Sequence, residues 1–590
     1  MAETLVSPGV LARENDQSFV TQQPISVGAA IVGPTVKGPV EIPTLVRSYS
    51  DYQNRFGTSF TSGSDTYSYF TSIAAQNYFA NGGETLLVAR TVSGSAGWGY
   101  ANAYISGSNT SGSLWIETID KGLIFNNADA ISGTVSTWKA RNFVGNQGAL
   151  TSGSVDNIRW QVVSRNVSTG TFDLLVRRGD DTATAPTVLE TWTNLSMDPK
   201  SSNYVARVIG DQTLTYDSTE NYIKVSGSYP NQSRYIRIKQ VVSPTPDYFD
   251  NAGNAKAIYT GSIPVNGTGS YGGCFATGTG DILPDATTSY GVGRYYDRIS
   301  SANTQGLKAG DYTNMLNLLA NQDDYKFNAL YTPGLYYADY SAPIITAINN
   351  TQGRGDSIYV TDLVAYNTSI TNTTTQANNL NSSYAATYWP WVQVRDTSTS
   401  KNVWVPASTM IAGVYAYNDS VSEPWFAPAG INRGGLSTVI SAERKLSQGN
   451  RDTLYAANVN PIATFPGTGV VVYGQKTTQR RASALDRINV RRLLIALKSY
   501  ISQVAQNLVF EQNTIATRNN FLAQVNPYLE SVQQRQGLYA FKVVMDDSNN
   551  TPDVIDRNQL IGQIYLQPTK TAEFIYLDFN ILPTGATFPA

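Results

Sequence analysis

The residue types that carry most enzyme chemistry are missing from this sequence. Histidine is absent and cysteine occurs once, at Cys274. A Ser-His-Asp triad, a Cys-His pair, a His-ligated metal and an intrachain disulfide therefore cannot be built. Paired carboxylates and backbone phosphate cradles survive, because they need only Asp, Glu, Gly and Lys. Gly267-Thr-Gly269-Ser-Tyr-Gly272 has the dinucleotide-binding spacing, but no clear helix comes after it to aim amides at a pyrophosphate. Arg354-Gly355-Asp356-Ser357 spells an adhesion tripeptide directly before an apparent strand, where a turn accounts for it. Asp546-Asp547-Ser548-Asn549-Asn550 lacks the Gly and distal Glu of a calcium loop and reads as a solvated turn. Cys274, between Gly273 and Phe275, has no basic neighbour to lower its pKa and reads as a buried or incidental thiol. No catalytic residue, cofactor or metal ligand is assigned, and the expectation is a protein that is not an enzyme.

One dense basic cluster remains, comprising Arg480, Arg481, Arg487, Arg491, Arg492 and Lys498. On an amphipathic helix such a cluster is either a solvated face or a contact for an acidic partner. Arg487, Arg491, Arg492 and Lys498 are the candidates for that contact, with Arg491 and Arg492 open also to bonds inside the subunit or between copies.

Over the 590 residues, 42 Lys and Arg stand against 44 Asp and Glu, a formal net charge of -2. No global field draws the chain to nucleic acid or to an anionic membrane. Charged residues make up only 15%, whereas Tyr numbers 37 and Gly 48. A surface poor in Lys and Glu and rich in Tyr resembles an interface, which points to an assembled protein. The start, Met1-Ala2-Glu3-Thr4, lacks a signal pattern, and no stretch approaches the roughly 18 apolar residues of a membrane helix. The expectation is a soluble chain made in a cytoplasm, with no membrane insertion.

The elements that would position these residues read as a mixed α/β (α+β) fold. Ile25 to Gly33 is a continuous apolar run of the buried-strand type, and Thr85 to Val92 reads as the next strand after a helix within 66–80. Helix and strand alternate again from Tyr312 to Leu363, which suggests crossover units and a parallel sheet. Near the C-terminus Val490, Leu494, Leu497, Ile501, Val504 and Leu508 step by four and three, which predicts a long amphipathic helix. A second stripe, Leu522, Val525, Leu529 and Val532, is expected to break at Pro527, which can open a new helix.

This grammar divides the chain. Residues 1–24 form an N-terminal arm. Residues 25–92 plus 311–465 form an α/β middle domain. A β-rich outer insertion spans 93–195, and a second inserted domain spans 196–310. A C-terminal domain with a β arm takes 466–590. The core is thus discontinuous, drawn from both ends of the chain, and the insertions are dispensable for it.

At this point the sequence resembles the contractile phage tail sheath proteins. The fragments that carry the resemblance are Ser7-Pro8-Gly9-Val10, Gly33 to Pro39 and Tyr52 to Gly57, then Leu195 to Pro199, Tyr204 to Asp211 and Ser382 to Ala386. Tyr388-Trp-Pro-Trp391, Ile411 to Tyr415, Trp425 to Gly430, Ile488 to Arg492, Val509 to Asn513 and Ala572 to Ile575 complete them in order. The resemblance implies a structural protein that polymerises around a tail tube as stacked hexameric rings and contracts to drive the tube through a host envelope for genome delivery. It implies the tail tube, baseplate and tail terminator proteins as partners, and the virion tail, assembled in host cytoplasm, as location. It also implies arms that link neighbours by strand addition, here Gln17, Ser18, Phe19, Val20 and Thr21 at one end and Phe574, Ile575, Tyr576 and Leu577 at the other. The sheath of a tailocin or another contractile injection system fits the same residues. From another class, a tail-associated glycan-binding or glycan-cleaving protein fits the β-rich, Tyr-bearing regions.

Overall fold

A computed structural model describes residues 28–573, apart from 63–64, 93–98, 109–111, 127–141, 143, 145–149, 151–152, 183–184, 269–271, 274–298 and 300–303. Its centre is an eight-stranded sheet. The spatial order is Thr44–Val46, Leu86–Arg90, Ala29–Gly33, Ala329–Tyr336, Ile358–Asp362, Ala385–Trp389, Asn460–Phe465 and Gly469–Val472. The inner neighbours pair in parallel and the two edge strands antiparallel. Strands buried on both faces need apolar side chains in both directions, which is why Ala29–Gly33 and Leu86–Arg90 are buried at every position. The fold is mixed α/β, as the alternation predicts.

Helices Phe70–Ala80, Ser341–Arg354 and Ala407–Val421 cover this sheet. The first and third cross closely enough for Asn77 Nδ2 to donate to the Met410 carbonyl at 2.9 Å. Gly413 makes this crossing possible, since a Cβ there would lie 2.3 Å from the Asn77 amide nitrogen.

Two expected boundaries run through continuous structure. Strand Ile236–Val241 pairs with Gly112–Thr118, and Leu114, Ile116, Val162, Leu195, Met197, Val205 and Ile236 share one core. The division at 195 and 196 therefore cuts a single hydrophobic cluster, because strand pairing reaches across 120 residues between Arg237 and Glu117. The other boundary, at 465 and 466, falls inside the hairpin Asn460–Phe465 and Gly469–Val472, which closes the edge of the main sheet. The insertion is also tied down. Lys37 pairs with Asp156 at 2.7 Å, Arg55 pairs with Asp120 at 3.4 Å, and Tyr216 and Ile223 pack against the main core.

At the C-terminus, helix Ile488–Gln506 bridges two cores. Ile488 and Ile495 face the main one, whereas Leu493, Leu497 and Val504 pack with Trp425, Phe521, Val525, Leu529 and Val532 in another. The second helix runs without a break from Ile515 to Gln534 with Pro527 inside it, so Pro527 does not open a new helix. Burial of Phe521, Val525, Leu529 and Val532 along one continuous stripe outweighs one missing backbone donor.

Buried Asp362 makes stability depend on pH. Burial pushes the Asp362 carboxyl up to about 7, against two hydrogen bonds from Ser408, Oγ at 2.5 Å and N at 3.0 Å. An unfolded Asp loses its proton near pH 4. Between about pH 4 and 7 the folded state therefore binds more protons, so stability falls as pH rises through that window and levels off above it. Asp362→Asn keeps both contacts without the charge. It should be more stable than wild type by about 2–4 kcal/mol at pH 8 and equal to it near pH 4. Melting curves at the two pH values check this, and a gap that does not change with pH would count against it.

Candidate assembly site

The basic cluster is built from the start of helix Ile488–Gln506, where successive residues point to different neighbours. Arg491 is 4% exposed. Its Nε donates to the Ser383 carbonyl at 3.1 Å, its Nη2 to the Ser383 hydroxyl, and the guanidinium lies 3.9 Å from the Tyr384 ring centre. Burial lowers its pKa, with Tyr384 opposing. Arg492 is equally buried, meets Asp419 Oδ2 at 2.5 Å and lies over Tyr415 at 4.6 Å. Burial opposes its charge, yet Asp419 and Tyr415 outweigh it and hold the pKa above the ordinary value.

Arg487 Nε bonds Glu573 at 2.7 Å and its Nη1 meets Asp486 at 3.1 Å. Lys498 is exposed, with Nζ 3.3 Å from the Tyr384 hydroxyl. Of the readings left open for Arg491 and Arg492, the contacts within this chain are those inside the subunit. Both guanidiniums are spent inside the subunit, fastening the helix to residues 383–384 and 415–419. Lys498 keeps an exposed charge, and Arg487 stays partly exposed.

The other sequence motifs have structural roles where they are described. Arg354 bonds Asp356 at 2.9 Å and donates to the carbonyls of Leu319, Asn321 and Tyr325, so it ends a helix and pins a loop. Asp546 accepts from Ser548 N within its own turn at 2.9 Å. Gly267 exchanges two backbone bonds with Val162, both 2.9 Å. Gly269 to Tyr271 and Cys274 lie outside the described residues. Among the described residues, no group of three or more His, Cys, Asp and Glu could hold a metal ion, and no helix is long and apolar enough to cross a membrane.

The C-terminal region presents backbone and apolar side chains outward. Leu538–Val544 and Gln563–Pro568 pair only with each other among the described residues. Their inner face, Phe541, Val543, Ile564 and Leu566, rests on the C-terminal core, whereas Tyr539 and Tyr565 are exposed. Among the described residues each strand has one edge without a neighbouring strand, and such an edge is a template for pairing with another chain. Beside it, the turn between the two long helices exposes Val509 at 60% and Phe510 at 102%, with Phe510 at φ 72°. An apolar side chain held in left-handed backbone and bare to water costs free energy in the isolated subunit. The sequence flags residues 509–513 as a motif but not the exposure of Phe510. The candidate arm residues Gln17, Ser18, Phe19, Val20, Thr21, Phe574, Ile575, Tyr576 and Leu577 lie outside the described residues.

Residues 305–478 match the phage tail sheath protein central domain, and residues 481–582 match the phage tail sheath C-terminal domain. The tail sheath protein of Vibrio phage KVP40 is 42% identical over 233 residues, 39% of this chain and 35% of that protein. That of Enterobacteria phage T4 is 39% identical over 229 residues, with the same shares. The match thus takes in about a third of the length of these curated relatives. A crystal structure of the sheath tail protein from Listeria innocua superposes with a TM-score of 0.50 at 10% identity, covering 92% of this chain and 96% of that one, a likeness of fold alone. Residues 305–478 and 481–582 are thus similar to the central and C-terminal domains of contractile phage tail sheath proteins.

Proposed function

We propose that the chain is a structural sheath subunit that polymerises around a tail tube as stacked hexameric rings and contracts to drive that tube through the host envelope for genome delivery. The tail tube, baseplate and tail terminator proteins are its partners, and the virion tail, assembled in host cytoplasm, is its place. The observation that carries the reading is the match of 481–582 to the sheath C-terminal domain, within which a two-stranded sheet has no further strand partner among the described residues. A single chain with a heterologous, non-closing interface generates a helical array. Strand addition by the arms at 17–21 and 574–577 suits such an array, because backbone pairing tolerates sequence and keeps neighbours connected while they rotate. Contraction then needs two packings of the same folded subunits, driven by interface free energy and not by catalysis.

The core domains are drawn from 28–92 with residues beyond 304, and 99–267 form an outer unit around their own core. Electron microscopy of purified protein tests the reading: the full chain should form long tubes, and a chain lacking residues 1–22 should stay folded and monomeric. Normal tubes from the shortened chain would overturn the role of the N-terminal arm. Discrete trimers that bind or cleave glycans would overturn the sheath reading itself.

A further inference from the structure

The C-terminal strand of the hairpin ends at Pro568, and the chain is then pinned twice before residue 574. Thr569 makes the first attachment, its Oγ1 donating to the Gln536 carbonyl at 2.7 Å and its N to the Gly537 carbonyl at 3.2 Å. Glu573 makes the second, and it is a built socket. Oε1 accepts from Arg487 Nε at 2.7 Å and from Gln475 Nε2 at 3.0 Å, and Oε2 accepts from the Tyr455 hydroxyl at 2.9 Å. Gln475 Nε2 also reaches Thr571 Oγ1 at 2.5 Å. Lys476 backs the socket, bonding the Tyr455 carbonyl at 2.8 Å and lying 4.3 Å from its ring centre.

These donors come from separate places: helix Gln448–Ala456, the segment after Gly469–Val472, and the residue that caps helix Ile488–Gln506. The Glu573 and Arg487 side chains are 18% and 25% exposed, so water screens the pair only in part. Charge-assisted bonds in such a setting are about twice as strong as neutral ones. Immediately after the socket the chain reads Phe574-Ile-Tyr-Leu577, an unbroken apolar and aromatic run with nothing in it to fix the register of a strand. A slip of one residue would turn every side chain of an added strand to the wrong face.

We propose that the Glu573 socket is the clasp of the C-terminal arm. It sets the residue and the direction at which the arm leaves the subunit, hence the register of the strand added to a second copy of this chain. It also ties that strand to helix Ile488–Gln506 when the lattice moves. This rests on the strand-addition reading above.

The test compares full-length Glu573→Ala, the charge-swapped pair Glu573→Arg with Arg487→Glu, each swap alone, and a chain ending at Glu573. Sedimentation gives the critical concentration for polymerisation, and melting gives the stability of the monomer. Glu573→Ala should raise the critical concentration at least about tenfold and leave melting near wild type. The swapped pair should recover part of what each single swap loses. If the truncated chain fails to polymerise but Glu573→Ala assembles like wild type, the clasp is wrong and the arm stands. If the truncated chain polymerises normally, the arm reading fails and the clasp with it. A collapse of monomer melting in Glu573→Ala would also overturn the proposal, making the socket an ordinary structural ion pair.

Discussion

Replacing Arg492 by alanine should destabilise the C-terminal region by about 2–4 kcal/mol. Removing one partner of a buried pair typically costs about 3–5 kcal/mol, because the other charge is left without compensation. Here Asp419 is 29% exposed against 4% for Arg492, so water relieves part of that loss and the lower figure applies. The guanidinium also covers Tyr415, whose hydroxyl sits 2.9 Å from that of Tyr388, so the substitution opens a gap within a buried polar cluster. The readout is the urea transition followed by circular dichroism and by the combined fluorescence of the nine tryptophans. Pairing Arg492→Ala with Asp419→Ala should cost less than the two single changes added together, since the pair is lost once. A single-variant loss below about 0.5 kcal/mol would show that the bond contributes nothing measurable.

Leu497→Ala should cost about 2–5 kcal/mol in the same transition. Leu497 is 1% exposed and packs where the two long helices meet, beside the stacked pair Tyr500 and Tyr528 with ring centres 3.8 Å apart. Truncation removes buried methyl groups and leaves a cavity that two crossing helices cannot easily close. Leu494→Ala is the control, because Leu494 only borders that core and should lose less. Equal losses at the two positions would mean that the helix does not present the face assigned to it. The cost should also be the same in monomer and polymer, which separates it from the Glu573 variants, where assembly responds and melting does not.

Much of this protein is legible in its sequence. The runs Ile25 to Gly33 and Thr85 to Val92 announce strands buried on both faces, because only a covered parallel sheet accepts apolar residues in succession. The four-and-three spacing from Val490 to Leu508 announces the long helix, since that period puts all six side chains on one face. The absence of His and the lone Cys bound the chemistry by composition alone. The ordered motifs pointed to the sheath family.

Tertiary structure decided everything that depends on a distant partner. A helical period names a buried face but not what covers it, and helix Ile488–Gln506 serves two cores at once. The arginines read as a cluster in sequence, yet Arg487, Arg491 and Arg492 bond to residues 86, 108 and 73 positions away. Charge pairing carries no local signature, so no spacing could have assigned them. The boundary at 195 and 196 failed for the same reason, because strand Ile236–Val241 completes a sheet begun at Asn102–Ser106. Local patterns are set by backbone geometry within a few residues, whereas register, partners and domain limits are set by which surfaces meet when the chain folds.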